Sequence, residues 1–326
     1  MLRYTGDEKR GAASEMSDQP ARKNFVRHRG RSNVPISDIV AVKFSLSGDE
    51  DNKASSVANI TSYESFNGQI PVRGGVYDAR LGTTDYSYRC WTCGLHKHKC
   101  LGHPGLLPLS TTVEQPLMIA EIRRWLKVTC FNCGKLVVDM DKFRQAPKSR
   151  RLRLMAAVPG QSLKICPYCE AVHPKIEKNP DDYFSFSAKD SDGISTHLFP
   201  DRIKEIFGQI PDNIVEFMGK GSAPPSKLIV SKMMVSPVTI RPSVRTMGTM
   251  GSSYHNMTTI VHNLAKMNMS MPVAGSVSES DFTRASLNFR QLYFDMILGS
   301  SATADTRSKK RSIIPTFRGG TSSIMR

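Results

Sequence analysis

Acidic residues are in short supply in this sequence. Its 326 residues hold 29 Asp and Glu against 45 Lys and Arg, a formal net charge of +16. The basic excess runs along the whole chain, which points to a polyanionic partner, most commonly nucleic acid. Long apolar runs and strongly basic amphipathic helices are also missing, so no membrane span or membrane-surface helix is expected. The opening MLRYTGDEKRG lacks an apolar signal core, which predicts a reducing intracellular compartment. No P-loop, G-x-S-x-G or H-E-x-x-H occurs, and an independent hydrolase or transferase is disfavoured accordingly. The apolar fraction is a modest 39%, with 23 Gly and 19 Pro, which suits a loop-rich protein with limited cores.

Cysteine is sparse but concentrated. Seven cysteines are an odd number for a disulfide set, and a reducing compartment would not preserve one. Six of them form three C-x2-C pairs: Cys90/Cys93, Cys130/Cys133 and Cys166/Cys169. The seventh, Cys100, forms a C-x2-H pair with His103. Two donors separated by two residues can grip one ion from a tight turn, and zinc takes four thiolate or imidazole donors in a tetrahedron. Gly94 and Gly102 permit the backbone such turns need. His96 and His98 lie inside the loop between the first two knuckles and are rival donors, but the spacing favours His103. Seven cysteines and one histidine then make two complete sites, Cys90, Cys93, Cys100, His103 and Cys130, Cys133, Cys166, Cys169. Four donors with no open position indicate structural metal. The β-α-β context of a redox C-x2-C is absent.

The chain changes character along its length. Residues 1–35 are Arg, Ser, Gly and Asp rich and read as a disordered basic tail. Alternation at Val40, Val42, Phe44 and Leu46 predicts a strand. VEQPLMIAEIRRWLKV predicts an amphipathic helix with Pro116 in its first turn and Met118, Ile122, Trp125 and Leu126 on one face. KFRQAPKSRRLRLM is an excursion between the last two cysteine pairs. A helix is expected over PDRIKEIFGQI, and a second one capped by Asp212 and carrying Ile214, Phe217 and Met218. LIVSKMMV reads as a strand. Two longer helices carry Met257, Ile260, Val261, Leu264 and Met267, then Phe282, Ala285, Phe289, Leu292 and Met296.

GGVYDARLGTTDYSYRCWTC, followed by CLGHPGLLPL and CFNCGKLVVD, resembles the N-terminal clamp region of the largest subunit of multisubunit DNA-dependent RNA polymerases. That family carries G-G-x-x-D-x-R-L-G, C-x2-C, C-x-G-H-x-G and C-x2-C-G-K-L in this order. CPYCEAVHPKI resembles its closing cysteine with a Pro-x-Ile segment, and SPVTIRPSVR its proline-rich R-P-S segment. The resemblance runs from about Ile36 to the C-terminus, and in fine detail it is similar to polymerases of large cytoplasmic DNA viruses of the asfarvirus kind. Leu101 and Pro104 depart from the common pattern, and CPYC is more compact than in cellular members. Family members are several times longer, so the resemblance implies an N-terminal piece.

The resemblance implies an α+β fold. An irregular, loop-rich, zinc-stabilised clamp core would occupy 36–180, and a mostly helical clamp head with a return segment 181–299. A flexible basic rudder-like tail would occupy 300–326. It implies two structural Zn2+, with Mg2+ only in the complete polymerase. The partners implied are the remainder of the largest subunit, the second-largest and smaller RNA polymerase subunits, DNA and the RNA–DNA hybrid, with no membrane. The implied location is the host cytoplasm, in the viral factory, and the virion for a viral chain, and a reducing intracellular compartment otherwise. Contacts to nucleic acid are expected from Arg150, Arg151 and Arg153, and from Arg307, Lys309, Lys310 and Arg311 where the rudder-like loop falls. No catalytic residue is assigned. Aspartates at alternate positions come only in the pairs Asp49/Asp51, Asp139/Asp141 and Asp190/Asp192, never as the family's catalytic trio. A stand-alone zinc-dependent nucleic-acid-binding transcription factor is the alternative. It shares the metal and charge features but leaves Gly74–Gly82 and the R-P-S segment without a role.

Overall fold

A computed structural model describes residues 45–298 except 69, 87, 160–164, 179–183, 191–192, 220–222, 243, 246–251 and 273–277. The expected strand over Val40, Val42 and Phe44, both terminal tails, and the basic group from Arg307 to Arg311 lie outside the described residues. The chain runs through α1 (Asp49–Ser55), β1 (Ala58–Asn59), β2 (Phe66–Asn67), β3 (Ile70–Pro71) and β4 (Gly105–Glu114). Next come α2 (Ile119–Val128), α3 (Arg151–Met155), β5 (Lys175–Lys178), β6 (Phe186–Lys189) and β7 (Ser195–Leu198). The described chain closes with α4 (Pro200–Gly208), α5 (Asp212–Met218), β8 (Ile229–Val235), β9 (Val244–Arg245), β10 (Ser252–Ser253), α6 (Asn256–Met269) and α7 (Glu279–Leu298). Helices and small sheets mix, as an α+β fold requires.

The central sheet has the order β1-β4-β8, with β1 parallel and β8 antiparallel to β4. Two short hairpins, β2-β3 and β9-β10, and an antiparallel sheet β5-β6-β7 stand beside it. The strand expected over LIVSKMMV is β8. Sequence alternation missed its partner β4, which is buried at both ends and carries Pro108 within it. The ladder slips register between Pro108 and Val113. Asn268 of α6 satisfies the displaced backbone there. It accepts from Ser110 N at 2.7 Å and donates to Pro108 O at 2.9 Å, so the proline sits at an irregularity that a side chain repairs.

The expected helix at 113–128 begins as a 3-10 turn, Pro116–Met118, and continues as α2 with Ile122, Trp125 and Leu126 fully buried. Asp212 is the first residue inside α5 and not its cap; Pro211 holds the cap position, because its fixed backbone angle already orients the first turn. α1 was not legible as a helix. Its Asp49 carboxylate accepts from Ser231 N, Ser231 Oγ and Lys232 N at 2.6–3.0 Å, pinning the helix to β8.

α6 buries the face its periodicity predicts, with Met267 at its half-buried edge. α7 is rotated from the expected face. Phe289 and Met296 are buried, but Ser286 and Arg290 join them while Leu292 is only half-buried. The cause is β4. Arg290 forms a fork with Glu114, Nε to Oε2 at 3.1 Å, and both side chains are fully buried. Ser286 meets Thr111 at 3.4 Å. Burial pushes the Glu114 carboxyl above its ordinary range despite the guanidinium beside it. No helix among the described residues is long and apolar enough to cross a membrane.

Candidate metal centres

Each cysteine pair sits on a turn that returns its own backbone hydrogen bonds. Gly94 N donates to Cys90 O at 2.8 Å, Gly134 N to Cys130 O at 3.0 Å, and Glu170 N to Cys166 O at 2.9 Å. The residue after each C-x2-C pair is left-handed, with φ of 70° at Gly94, 69° at Gly134 and 57° at Glu170. Two of the three are therefore glycine for a conformational reason, and Glu170 adopts the same angle without that freedom.

These turns assemble the eight residues into two groups. In each group, Cys90/Cys93/Cys100/His103 and Cys130/Cys133/Cys166/Cys169, the four donor atoms lie within 4.8 Å of one another. The Sγ atoms of Cys130 and Cys169 are 3.6 Å apart, as are those of Cys133 and Cys166. A tetrahedral ion with sulfur at about 2.3 Å needs an edge of about 3.8 Å, so the spacing fits a metal. A disulfide needs about 2.05 Å, and all seven cysteines are free. Cys100 Sγ lies 3.8 Å from His103 Nε2.

Burial pushes the Cys90 and Cys133 thiols up to about 12, whereas the Ala171 N–H draws Cys169 down to about 6. A divalent cation supplies the positive charge that lets such a tetrad deprotonate together. Burial also lowers His103, which favours the neutral imidazole that ligates. His96 and His98 stay out of the group. His98 Nε2 instead meets Tyr86 OH at 3.1 Å, with the Lys97 ammonium 3.4 Å above the same tyrosine ring.

The first centre is buttressed from two distant parts of the chain. In GGVYDARLG, Asp78 is fully buried and accepts from Gly74 N, Arg80 N and the Arg80 guanidinium. This fixes the 3-10 turn Ala79–Leu81. His103 N then donates to Leu81 O at 3.0 Å and Thr92 Oγ1 to Arg80 O at 2.7 Å. From the other side comes SPVTIRPSVR. Thr239 Oγ1 donates to Leu101 O at 3.0 Å, between the Cys100 and His103 donors. A Cβ on Gly102 would lie 2.2 Å from Thr239 Oγ1 and 2.5 Å from Pro237 Cβ. Arg241 is fully buried, donates to Ser236 O and Val76 O, and has its own carbonyl bound by Tyr77 OH at 2.6 Å. Burial lowers its pKa to about 10. The R-P-S arginine is thus a clasp between the two buttresses, a role its sequence context did not reveal.

Among the basic residues expected at nucleic acid, Arg150 and Arg153 are exposed. Arg151 is placed differently. Its guanidinium is buried and spent on the carbonyls of Arg144, Ala146 and Phe217 at 2.6–3.0 Å, because it nails the excursion to α5. Asp139 and Asp141 stand on a turn, with Asp139 Oδ1 accepting from Asp141 N and Asp141 paired to Arg144.

Residues 36–312 match the family model described as RNA polymerase Rpb1, domain 1. The chain is 37% identical over 286 residues to the DNA-directed RNA polymerase RPB1 homolog of African swine fever virus, covering 85% of this chain and 20% of that relative. It is 30% identical over 221 residues to DNA-directed RNA polymerase subunit Rpo1N of Sulfolobus acidocaldarius, covering 63% of this chain and 25% of the relative. The corresponding subunit of Thermoplasma acidophilum is 27% identical over 223 residues. The chain therefore spans about a fifth of the length of the viral relatives it matches.

Proposed function

The chain belongs to the RNA polymerase Rpb1 domain 1 family, and from that premise we propose that it acts as the N-terminal clamp portion of the largest subunit of a DNA-directed RNA polymerase. It holds template DNA and the RNA–DNA hybrid; it does not carry the chemistry. The observation that carries this reading is the pair of closed four-donor centres, both built from turns and the first braced by the segment around Thr239. Two Zn2+ held by Cys90, Cys93, Cys100, His103 and by Cys130, Cys133, Cys166, Cys169 supply folding energy to the turns that carry them. With all four positions taken by protein, neither ion has room for a reacting group. Residues 36–180 serve as the clamp core and 181–299 as the clamp head and return segment, sharing the β1-β4-β8 sheet. Arg150 and Arg153, with Arg307, Lys309, Lys310 and Arg311, contact phosphates without reading sequence.

The catalytic aspartates and their Mg2+ belong to another part of the polymerase, since this sequence holds alternate aspartates only as pairs. The partners are the remainder of the largest subunit, the second-largest and the smaller subunits, in the viral factory and virion of an infected host. Two measurements test the reading. Tagged chain from infected cells should elute in a large complex with the second-largest subunit. Purified alone with magnesium, primer–template and four nucleotides, it should make no RNA. Elution as a small free species would refute the polymerase assignment, and RNA synthesis abolished by Asp139→Ala would refute the non-catalytic one.

A further inference from the structure

A cleft of about 500 Å³ opens between the β2-β3 hairpin and the start of α6. Its size falls within the roughly 300–1,000 Å³ range of small-molecule sites. One wall carries Tyr63, Glu64 and Phe66, the other Tyr254, Thr259 and His262. Tyr63 and Tyr254 are 38% and 39% exposed and so present part of each ring to the cleft. They are also held in place. The Tyr254 ring lies nearly parallel to Phe66, 16° between planes, and 5.8 Å from the fully buried Tyr77. Tyr63 stands edge-on against His262 at 5.5 Å. Tyr77 is itself fixed by its hydroxyl to Arg241 O, so the platform is anchored to the clasp that braces the first metal centre.

We propose that this cleft binds the bases of a single-stranded nucleic acid by stacking on Tyr254 and Tyr63. The proposal rests on the nucleic-acid reading above and adds a base-dependent component to it. Pre-positioned aromatic faces stack any base, which suits a protein that must not read sequence. Glu64 and Asn67 on the rim offer acceptors and donors to base edges. Exposed Arg73 directly follows Val72, whose N–H is bonded to Ser65 O on the cleft wall, and is the nearest cation in sequence to the hairpin. The overall charge of +16 favours a polyanionic strand over a proline-rich peptide, the other common occupant of aromatic grooves.

The test uses zinc-loaded full chain and three fluorescein-labelled 12-mers at one salt concentration: oligo(U), oligo(dT) and an abasic deoxyribose-phosphate strand. The base-bearing strands should bind roughly 5- to 150-fold more tightly than the abasic one if one base is stacked. Tyr254→Ala and Tyr63→Ala should remove that excess and leave abasic binding unchanged, whereas Tyr254→Phe, which keeps the ring, should retain it. An excess with oligo(U), oligo(dT) or both supports the cleft, and its size in each identifies the preferred strand. Equal binding of base-bearing and abasic strands, or an excess insensitive to Tyr254→Ala in a variant with unchanged zinc content, overturns the cleft and leaves phosphate binding standing. Failure of every strand to bind at low salt overturns both readings. Tyr254-dependent binding of a proline-rich peptide, with no base excess, reassigns the cleft to a peptide.

Discussion

Gly102→Ala isolates the coupling between the first metal centre and the return segment. The residue lies between the Cys100 and His103 donors at φ 87°. A methyl group there costs about 1–2 kcal/mol for a left-handed alanine backbone. It also meets Thr239 Oγ1 at 2.2 Å and Pro237 Cβ at 2.5 Å. Neither neighbour is a flexible chain end, so overpacking adds about 1–3 kcal/mol. The sum, about 2–5 kcal/mol, is well below the ~10–16 kcal/mol of a structural zinc site, so zinc still binds at saturation. If metal loss relaxes the strain, affinity at this centre falls by roughly 30-fold or more. Gly94→Ala is the control. Its φ is 70°, but nothing lies within 4 Å of the new methyl, so only the backbone share, about fivefold to thirtyfold, should appear. Chelator competition on cobalt-substituted protein resolves the two centres, because three-thiolate and four-thiolate sites have different charge-transfer bands. Equal losses for the two variants would refute the buttress, and a loss at the four-cysteine centre would show that the effect is not local.

Metal analysis of purified chain should give about two zinc per molecule, and Cys100→Ser or Cys169→Ser should each lower that number by one; a wild-type value near one would remove the second centre. Arg290→Met leaves Glu114 buried without its partner and should cost about 3–5 kcal/mol in urea unfolding. Because the folded Glu114 pKa already lies above its unfolded value, its stabilising contribution is complete below the ordinary carboxylate pKa and is lost as pH rises through the folded one. Removing Arg290 raises the folded value further, so the variant's penalty should grow as pH rises above the ordinary carboxylate range. Glu170→Gly should stabilise by about 0.5–1 kcal/mol, since the residue is exposed and left-handed at φ 57°; a destabilised variant would contradict the strain. Arg150→Gln and Arg153→Gln should each shallow the salt dependence of single-strand binding by about 0.7 per lost contact, while Arg151→Gln should lower the melting temperature instead.

The two four-donor groups were legible because local spacing is enough to specify each pair. A C-x2-C turn is a complete short-range unit, and pairing the units needed only a count of donors. Helices were legible where one face is uniformly apolar, as in α2 and α6. What escaped was structure decided by a distant partner. β4 looks too polar and carries a proline, because Asn268, some 160 positions away, completes its backbone. The face of α7 was misjudged because Arg290 reads as solvent-facing until Glu114 is placed opposite it. Arg151 looked like a phosphate contact for the same reason. A long cation is ambiguous in sequence, and only the carbonyls of Arg144, Ala146 and Phe217 show that it is structural.

The placement of the two donor groups shows what metal would contribute to this fold. His103 is separated from the start of β4 by a single residue, and Cys130 follows the end of α2 by one. Each centre therefore stands where irregular chain enters or leaves a regular element. β4 has as its neighbour β8, more than a hundred residues later, so its closure carries a large loop entropy. A metal held by residues 90–103 would set the start of that strand using contacts close in sequence. The segment 236–241 can then dock against a surface already made. Thr239 and Arg241 read that surface directly, one at the metal loop and one at the Gly74–Leu81 turn. Loss of the first centre should consequently loosen Arg241, Tyr77 and the Tyr254 platform together, although none of the three is a metal ligand.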